Sequence, residues 1–180
     1  TMAGYAQAYL SDGAPLAADS ITVSPYLGYG SLSPALDLAE ANGRGVFVLA
    51  LTSNPEGAAV QHAVSGERAV AAEVVEGVTA SNAAARGEGG LGSIGLVVGA
   101  TVGEAVSRLG IDLLRANGPL LAPGVGAQGA GATELESVFG PARRHVLAST
   151  SRGVLKAGPS IEALRAAALA ATYEAAAALR

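Results

Sequence analysis

The 180-residue sequence has no cysteine and no tryptophan, and aromatic residues make up only 4% of it. Without cysteine, neither disulfide bonds nor thiolate chemistry is available, and the cytoplasm is the default compartment. With so few aromatic side chains, small aliphatic ones have to fill the core. The net charge is −4 and no basic run occurs. Nucleic-acid binding therefore has no electrostatic support.

Long hydrophobic runs are also missing. The apolar stretches are too short and too interrupted to span a bilayer, and no stretch has the pattern of a signal peptide. We therefore expect no membrane partner. Half of the residues are nonetheless hydrophobic, and a chain of this length can bury a real core in one domain. The composition predicts a soluble α/β domain rich in alanine and glycine.

Five apolar stretches of β type alternate with stretches of helical pattern. The strands are predicted to begin near residues 19, 46, 92, 119 and 146, which gives intervals of 27, 46, 27 and 27 residues. The long interval predicts a helix over residues 58–85, bent or split at Gly66 and Gly77. The other helices are expected over residues 2–12, 34–41 with Ser33 as N-cap, 101–109, 133–138 and 160–180.

This regular alternation predicts parallel strands joined by right-handed crossovers. The near-constant interval favours a TIM (β/α)8 barrel over an open sheet. Five strands are too few to close such a barrel, for which about 250 residues are typical. We therefore expect residues 1–180 to form a single domain that is the C-terminal portion of a barrel, strands 4–8 with their helices.

The C-terminal ends of barrel strands are where function is expected. The predicted ends carry hydroxyls, glycines, one amide side chain and one arginine: Ser24, Thr52, Ser53, residues 99–101, residues 124–128 and residues 151–153. No Asp, Glu, His or Lys is among them. This set can hold an anion but offers little for moving a proton near neutral pH.

The most distinctive strand end is LLAPGVGAQG, residues 120–129. Small residues after a strand let backbone N–H groups point towards an anionic oxygen cluster. The next strand ends in Ser151, Arg152 and Gly153, which places a guanidinium beside the glycine loop if the two strands are neighbours. We interpret the pair as a phosphate site with Gln128 and Arg152 as its side chains.

Each candidate also has a purely structural interpretation. Arg152 could be a surface arginine, Gln128 could brace its own loop, and Ser53 could cap a helix. We interpret the remaining candidates as structural or solvated: His62, His145 and Lys156.

The glycines of residues 124–129 also fit the G-x-G-x-x-G pattern of dinucleotide-binding folds. Such folds carry the pattern on their first strand, with an acidic residue about 20 residues later. Here three strand units precede it, and Ser149 and Thr150 stand at the later position. The sequence therefore disfavours a dinucleotide fold.

These strand ends resemble those of the orotidine monophosphate decarboxylase family, in the longer form found in actinobacteria. PGVGAQG at 123–129 is similar to the family's seventh-strand motif, and SRG at 151–153 to its eighth-strand arginine motif. VSPYLG at 23–28 and LTSNP at 51–55 resemble the fourth and fifth strand ends. The resemblance implies a cofactor-free lyase that converts orotidine monophosphate to uridine monophosphate (UMP) and carbon dioxide in de novo pyrimidine synthesis.

The resemblance also implies substrate contacts. Gln128 and Arg152, with Ser151 beside it, would bind the phosphate. Ser53 would hydrogen-bond the pyrimidine edge, and Pro123 would line the pocket near the departing carboxylate. The family forms homodimers, and Thr1 matches a threonine that reaches the ribose in the partner subunit's site.

The family's catalytic Asp-x-Lys-x-x-Asp motif, which ends its third strand, does not occur in the sequence. MAGY at 2–5 resembles the residues that follow this motif in the family. We therefore expect the Lys/Asp cluster to be encoded before Thr1, together with the first three βα units. Residues 1–180 alone would then be inactive.

Two other interpretations stay open. Another phosphate-binding barrel enzyme, such as a sugar-phosphate epimerase or a tryptophan-pathway barrel, would also bind phosphate at the last two strands. A metal-binding histidine set encoded before Thr1 would indicate an epimerase. Alternatively, the 180 residues form a complete, non-catalytic phosphate-binding module.

Overall fold

The computed structural model describes residues 1–126 and 129–180. Its main sheet contains five parallel strands in the order β1-β2-β5-β6-β7. These strands are β1 (Ser20–Val23), β2 (Gly45–Leu51), β5 (Ile94–Val98), β6 (Leu120–Pro123) and β7 (Val146–Ser149). The predicted strands are confirmed, because each apolar run lies in the sheet.

Helices connect successive strands. They are α1 (Met2–Leu10), α2 (Ser33–Ala41), α3 (Ala58–Gln61), α4 (Val70–Ser81), α5 (Ala83–Gly87), α6 (Ala105–Arg108), α7 (Ala132–Phe139), α8 (Arg152–Leu155) and α9 (Ile161–Ala178). Shorter 3₁₀ turns cover Tyr29–Leu32, Pro55–Gly57 and Gly140–His145. Within the described residues, no helix is long and apolar enough to cross a membrane.

The core lies between the sheet and these helices. The central strand β5 is buried along its whole length, as expected for a parallel strand covered on both faces. The side chains that fill the core are mostly Ala, Val and Leu, and Phe139 is the one aromatic residue among the buried hydrophobic residues of the described chain. The burial is lower in β1 and β7, the two outer strands of the sheet.

The helix predicted over residues 58–85 is split at Gly66, as expected, but the interruption is longer than a bend, and Gly77 lies inside α4 without breaking it. An antiparallel hairpin of β3 (Val64–Ser65) and β4 (Arg68–Ala69) separates α3 from α4. Gly66 lies in the turn with a φ of +66°, a conformation that glycine adopts without steric cost. Val64, which the helical pattern places on a buried face, is 68% exposed in the hairpin.

Two helix starts also differ from the expectation. Ser33 is the first residue of α2 and does not cap it, because the 3₁₀ turn Tyr29–Leu32 leads directly into the helix and makes Leu32 the N-cap. The helix after β5 is shorter than residues 101–109 and is the single turn α6. By contrast, α9 begins as predicted, since the Ser160 hydroxyl accepts a hydrogen bond from the Ala163 N–H.

Candidate functional site

Backbone hydrogen bonds join the C-terminal ends of four neighbouring strands. The Gly99 N–H after β5 donates to Leu51 O at the end of β2, at 2.9 Å. The Ala100 N–H donates to Pro123 O of β6, also at 2.9 Å. The Gly124 N–H then donates to Ser149 O of β7 at 3.3 Å. The loops that follow these strands therefore lie side by side at one edge of the sheet.

A cavity of about 630 Å³ opens at the ends of β6 and β7. Three of the predicted site residues, Pro123, Ser151 and Arg152, line it together. The structure thus confirms that the two strands are neighbours, and Arg152 lines the same cavity as residues of the glycine loop. The remaining lining residues are Gly124, Val125, Gly126, Gly129, Ser149, Thr150, Gly153, Lys156, Ala167, Ala170, Ala171 and Glu174.

The glycines give the β6 loop its shape. Gly124 and Gly126 have φ angles of +92° and +113°, which side chains rarely tolerate. The Ala130 N–H returns to donate to Gly124 O at 2.8 Å, and a Cβ on Gly129 would overlap that same carbonyl. The described residues 124–126 and 129–130 therefore lie close together, and Gly124, Gly126 and Gly129 line the cavity. Gln128 lies outside the described residues, so its contact with phosphate remains a prediction.

Arg152 begins the one-turn helix α8, with Ser151 as the preceding residue. Arg152 is exposed and lines the cavity. In the described part of the chain, Arg152 forms no salt bridge, whereas Arg44, Arg115 and Arg143 each have a carboxylate partner. A guanidinium offers five N–H donors in a planar fork that matches phosphate oxygens.

The sequence reasoning missed two charged residues of this cavity. Lys156, expected to be a solvated loop residue, is exposed and lines the cavity. Glu174 lines it from α9, and its Oε2 lies 3.7 Å from where a Cβ on Gly126 would be. The α9 lining residues are separated by three, one and three positions along the chain, so they share one helical face. Because α9 is rich in alanine, many of its positions have this spacing, so the sequence alone did not single out Glu174.

Ser53 follows β2, which β5 separates from β6, and it does not line this cavity. It is exposed just after β2, and its N atom lies 3.3 Å from where a Cβ on Gly99 would be. Gly99 is followed by Ala100, whose N–H donates to Pro123 O in the cavity wall. The end of β5 therefore lies between Ser53 and the cavity, at the same edge of the sheet. Thr1 precedes α1, is exposed, and lies outside the cavity of its own chain.

Neither histidine lines the cavity at the ends of β6 and β7. His145 precedes β7, at the opposite end of that strand from Arg152. Burial, and then the nearby Arg144 charge, lower the pKa of His145 below 6.5. His62 follows α3, and its Nδ1 lies 3.4 Å from Arg108 Nη2. Among the described residues, no cluster of three or more His, Asp or Glu is arranged to hold a metal ion.

The sequence model of the orotidine 5'-phosphate decarboxylase / HUMPS family matches residues 1–167. The chain belongs to this family. Similar decarboxylase-family proteins include the orotidine 5'-phosphate decarboxylases of Streptomyces coelicolor, 58% identical over 170 residues, and Salinispora arenicola, 59% identical over 169 residues. In both comparisons 93% of this chain matches 58% of the relative. The chain thus spans about three fifths of the length of these family members.

Solved structures of decarboxylase-family proteins have the same fold. A crystal structure of a Streptomyces avermitilis protein assigned to this activity superposes with a TM-score of 0.89 at 55% identity, covering 99% of this chain and 60% of that one. Leishmania donovani OMP decarboxylase superposes with a TM-score of 0.71 at 28% identity, covering 99% of this chain and 62% of that one. The five parallel strands are therefore part of a (β/α)8 barrel, as predicted. These relatives give no support to an epimerase or a tryptophan-pathway enzyme.

Proposed function

We propose that the protein containing this chain decarboxylates orotidine 5'-phosphate to UMP and carbon dioxide, without a cofactor. In this proposal the chain supplies the phosphate-binding and pyrimidine-binding residues. The observation that carries it is the cavity at the ends of β6 and β7, in which Arg152 faces a glycine loop. Membership of the family supports a nucleotide phosphate as the ligand of this cavity.

The phosphate contact follows from the chemistry of the cavity. Arginine–phosphate hydrogen bonds are charge-assisted and are often bidentate. Lys156 adds a second positive charge to the cavity, so that two cations stand against the one carboxylate of Glu174. Gln128 is proposed to contribute an amide from the glycine loop. Ser151 lies next to Arg152 and offers a hydroxyl. The phosphate does not react, so its binding energy is available for distorting and enclosing the reacting part of the substrate.

The pyrimidine and the reacting carboxylate would then lie further along the strand ends. Pro123 is both a cavity residue and the backbone partner of Ala100, which suits a wall near the departing carboxylate. We propose that Ser53, which packs against Gly99, hydrogen-bonds the pyrimidine edge. We propose that the Lys/Asp cluster that protonates the product carbon is encoded before Thr1, in the part of the barrel that the relatives have in addition.

Quaternary structure and location complete the proposal. We propose a cytoplasmic homodimer in which Thr1 of one subunit contacts the ribose in the partner's site. The position of Thr1 outside its own chain's cavity is compatible with such an exchange.

The test is turnover of orotidine 5'-phosphate by the complete gene product, followed as UMP and carbon dioxide formed. We expect Arg152→Ala to lower kcat/KM at least about 30-fold, equivalent to about 2 kcal/mol of transition-state stabilisation. The kcat/KM of Arg152→Lys should lie between those of the unaltered protein and Arg152→Ala, because lysine keeps the charge but lacks the planar fork.

Arg165→Ala is the matched control, since Arg165 is an exposed arginine on α9 that does not line the cavity. Its kcat/KM should equal that of the unaltered protein. Equal values for Arg152→Ala and Arg165→Ala would remove Arg152 from the site. Failure of the complete gene product to convert orotidine 5'-phosphate would contradict the proposed function itself.

A further inference from the structure

A compact hydrogen-bond network surrounds the residue after β2. The Thr52 N–H donates to Gln61 Oε1 at 2.9 Å, and Gln61 Nε2 donates to Thr52 Oγ1 at 2.7 Å. One amide side chain therefore contacts both the backbone and the side chain of Thr52. The Thr52 hydroxyl in turn donates to Asn54 Oδ1 at 2.5 Å. The network ties Gln61, the last residue of α3, to the strand end.

Thr52 and Asn54, which this network holds, flank Ser53 in the chain. A glycine makes the close packing possible, because a Cβ on Gly57 would lie 2.8 Å from Thr52 Oγ1 and 3.0 Å from Gln61 Nε2. On the other side, the backbone of Ser53 packs against Gly99. The position of Ser53 is thus fixed from two directions, although Ser53 itself is exposed.

The Ser53 hydroxyl forms no hydrogen bond within the described chain, whereas Thr52, Asn54 and Gln61 all do. The network leaves this hydroxyl available for a ligand while immobilising its neighbours. Loop residues lose conformational entropy when they are ordered by a ligand, and a loop ordered in advance avoids that cost.

We infer that Gln61 is a positioning residue that holds Ser53, through Thr52, for contact with the pyrimidine. The inference rests on the proposed function, because it concerns the base-binding end of the same nucleotide site. Gln61 touches no substrate in this account. Its effect should therefore be confined to the base, leaving binding of the phosphate end at β6 and β7 unchanged.

The test compares two ligands that both carry a 5-phosphate, of which only one has a base: UMP and ribose 5-phosphate. Their dissociation constants are measured calorimetrically on the complete gene product. Gln61→Ala should weaken UMP binding about 10-fold, the order expected when one loop residue must be ordered on binding. The affinity of Gln61→Ala for ribose 5-phosphate should be within about twofold of that of the unaltered protein, because the proposed phosphate contacts do not involve β2.

Thr52 supplies a second pair of variants that does not alter Gln61. Thr52→Val removes the hydroxyl with little change of shape and should also weaken UMP binding. Thr52→Ser keeps the hydroxyl and should keep the UMP affinity of the unaltered protein. The double variant Gln61→Ala, Thr52→Val should be no weaker than Gln61→Ala alone, because both changes break one network. Gln7→Ala, an exposed glutamine on α1, is the matched control and should bind both ligands normally.

The outcomes separate this inference from the proposed function. If Gln61→Ala binds UMP as tightly as the unaltered protein, or loses affinity for both ligands equally, Gln61 has no positioning effect on the base. If Gln61→Ala does not fold, equal UMP affinity in Thr52→Val and Thr52→Ser overturns the inference. If the unaltered protein binds UMP no better than ribose 5-phosphate, the proposed function fails instead.

Discussion

At the scale of single residues, the arginines of this chain differ in what they contact. Arg44 donates to Ala18 O and to Asp12 Oδ1, and its side chain is only 16% exposed. Arg115 and Arg143 pair with Glu76 and Glu136 on the surface. Arg152 faces the cavity without a salt bridge within the described chain. The same residue type therefore ties loops together in one place and is free for an anionic ligand in another.

Asn82 is a buried polar residue whose hydrogen bonds are all to the backbone. Its Nδ2 donates to Ile94 O at 2.8 Å and to Ala116 O at 2.9 Å, and its Oδ1 accepts from the Ile94 N–H at 3.3 Å. It therefore joins the start of β5 to the segment before β6.

We expect Asn82→Ala to lower the free energy of unfolding by about 2–4 kcal/mol, because it leaves buried backbone groups without partners. Urea-induced unfolding of the complete gene product measures this change. Asn42→Ala, which removes a single bond to Leu10 O, should cost only about 1 kcal/mol. Equal losses in the two variants would show that the Asn82 network adds nothing.

His145 gives the stability a predictable pH dependence. Burial and the Arg144 charge lower its pKa below 6.5 in the folded chain, so the folded state resists protonation more than the unfolded state does. The contribution of neutral His145 is complete above pH 6.5 and is lost as the pH falls towards the folded-state pKa. We expect His145→Gln to flatten the fall in unfolding free energy between about pH 7 and pH 5. Identical slopes in the two proteins would contradict this.

At the scale of secondary-structure elements, β5 depends on a residue without a side chain. Gly95 pairs with Phe47 of β2, and a Cβ there would lie 2.6 Å from the Phe47 ring and 2.5 Å from Pro119 O. Alanine is usually the better residue in a strand interior, by about 0.5–1 kcal/mol. Here the overlap with backbone outweighs that preference, because the carbonyl cannot rotate away.

We therefore expect Gly95→Ala to destabilise the protein by about 2–3 kcal/mol. Gly87→Ala is the matched control, since a Cβ at the end of α5 meets no atom within 4 Å. That control should leave stability unchanged or raise it by up to about 1 kcal/mol. The free energy of unfolding measures both, and a neutral Gly95→Ala would show that β5 can shift to make room.

The elements that the sequence predicts well are those whose signal is local. The strands are continuous apolar runs between turn residues, and each lies in the sheet. The helix over residues 58–85 is interrupted because Gly66 turns the chain back, and the apolar residues with helical spacing, Val70, Val74 and Val78, all lie after that turn. The part of the cavity formed by the ends of β6 and β7 could be predicted from the sequence, because it depends only on the two strands being neighbours. The wall from α9 could not, because only tertiary packing brings Glu174 near Gly126.

At the scale of the whole molecule, the chain forms five strands of a barrel, with β1 and β7 as the outer strands of the sheet. Its decarboxylase relatives are longer, and the chain matches 58% of their length. The residues proposed to bind the substrate here and the proton-transfer residues proposed to lie before Thr1 would then share one site. Sharing of Thr1 across a dimer would couple two such sites.

This sharing predicts complementation between inactive variants. In the proposed dimer, each site takes Arg152 from one subunit and Thr1 from its partner. One variant carries Arg152→Ala, and the other carries Thr1→Ala. A mixed dimer contains one site with both lesions and one site with neither. We expect mixing of the two complete proteins to recover roughly a quarter of the normal turnover, because half of randomly assorted dimers are mixed and each has one intact site.

The measurement is steady-state turnover before and after subunit exchange, with each variant alone as the control. Turnover equal to the average of the two separate variants would contradict the sharing of Thr1 between subunits.

The central claim, that Arg152 binds the nucleotide phosphate, is tested most directly by comparing UMP with uridine. Calorimetry on the complete gene product gives the two dissociation constants for the unaltered protein and for Arg152→Ala. The account predicts that Arg152→Ala weakens UMP binding at least about 30-fold and changes uridine binding less than about twofold, because only UMP carries the phosphate. Equal effects on both ligands, or no effect on UMP, would contradict it.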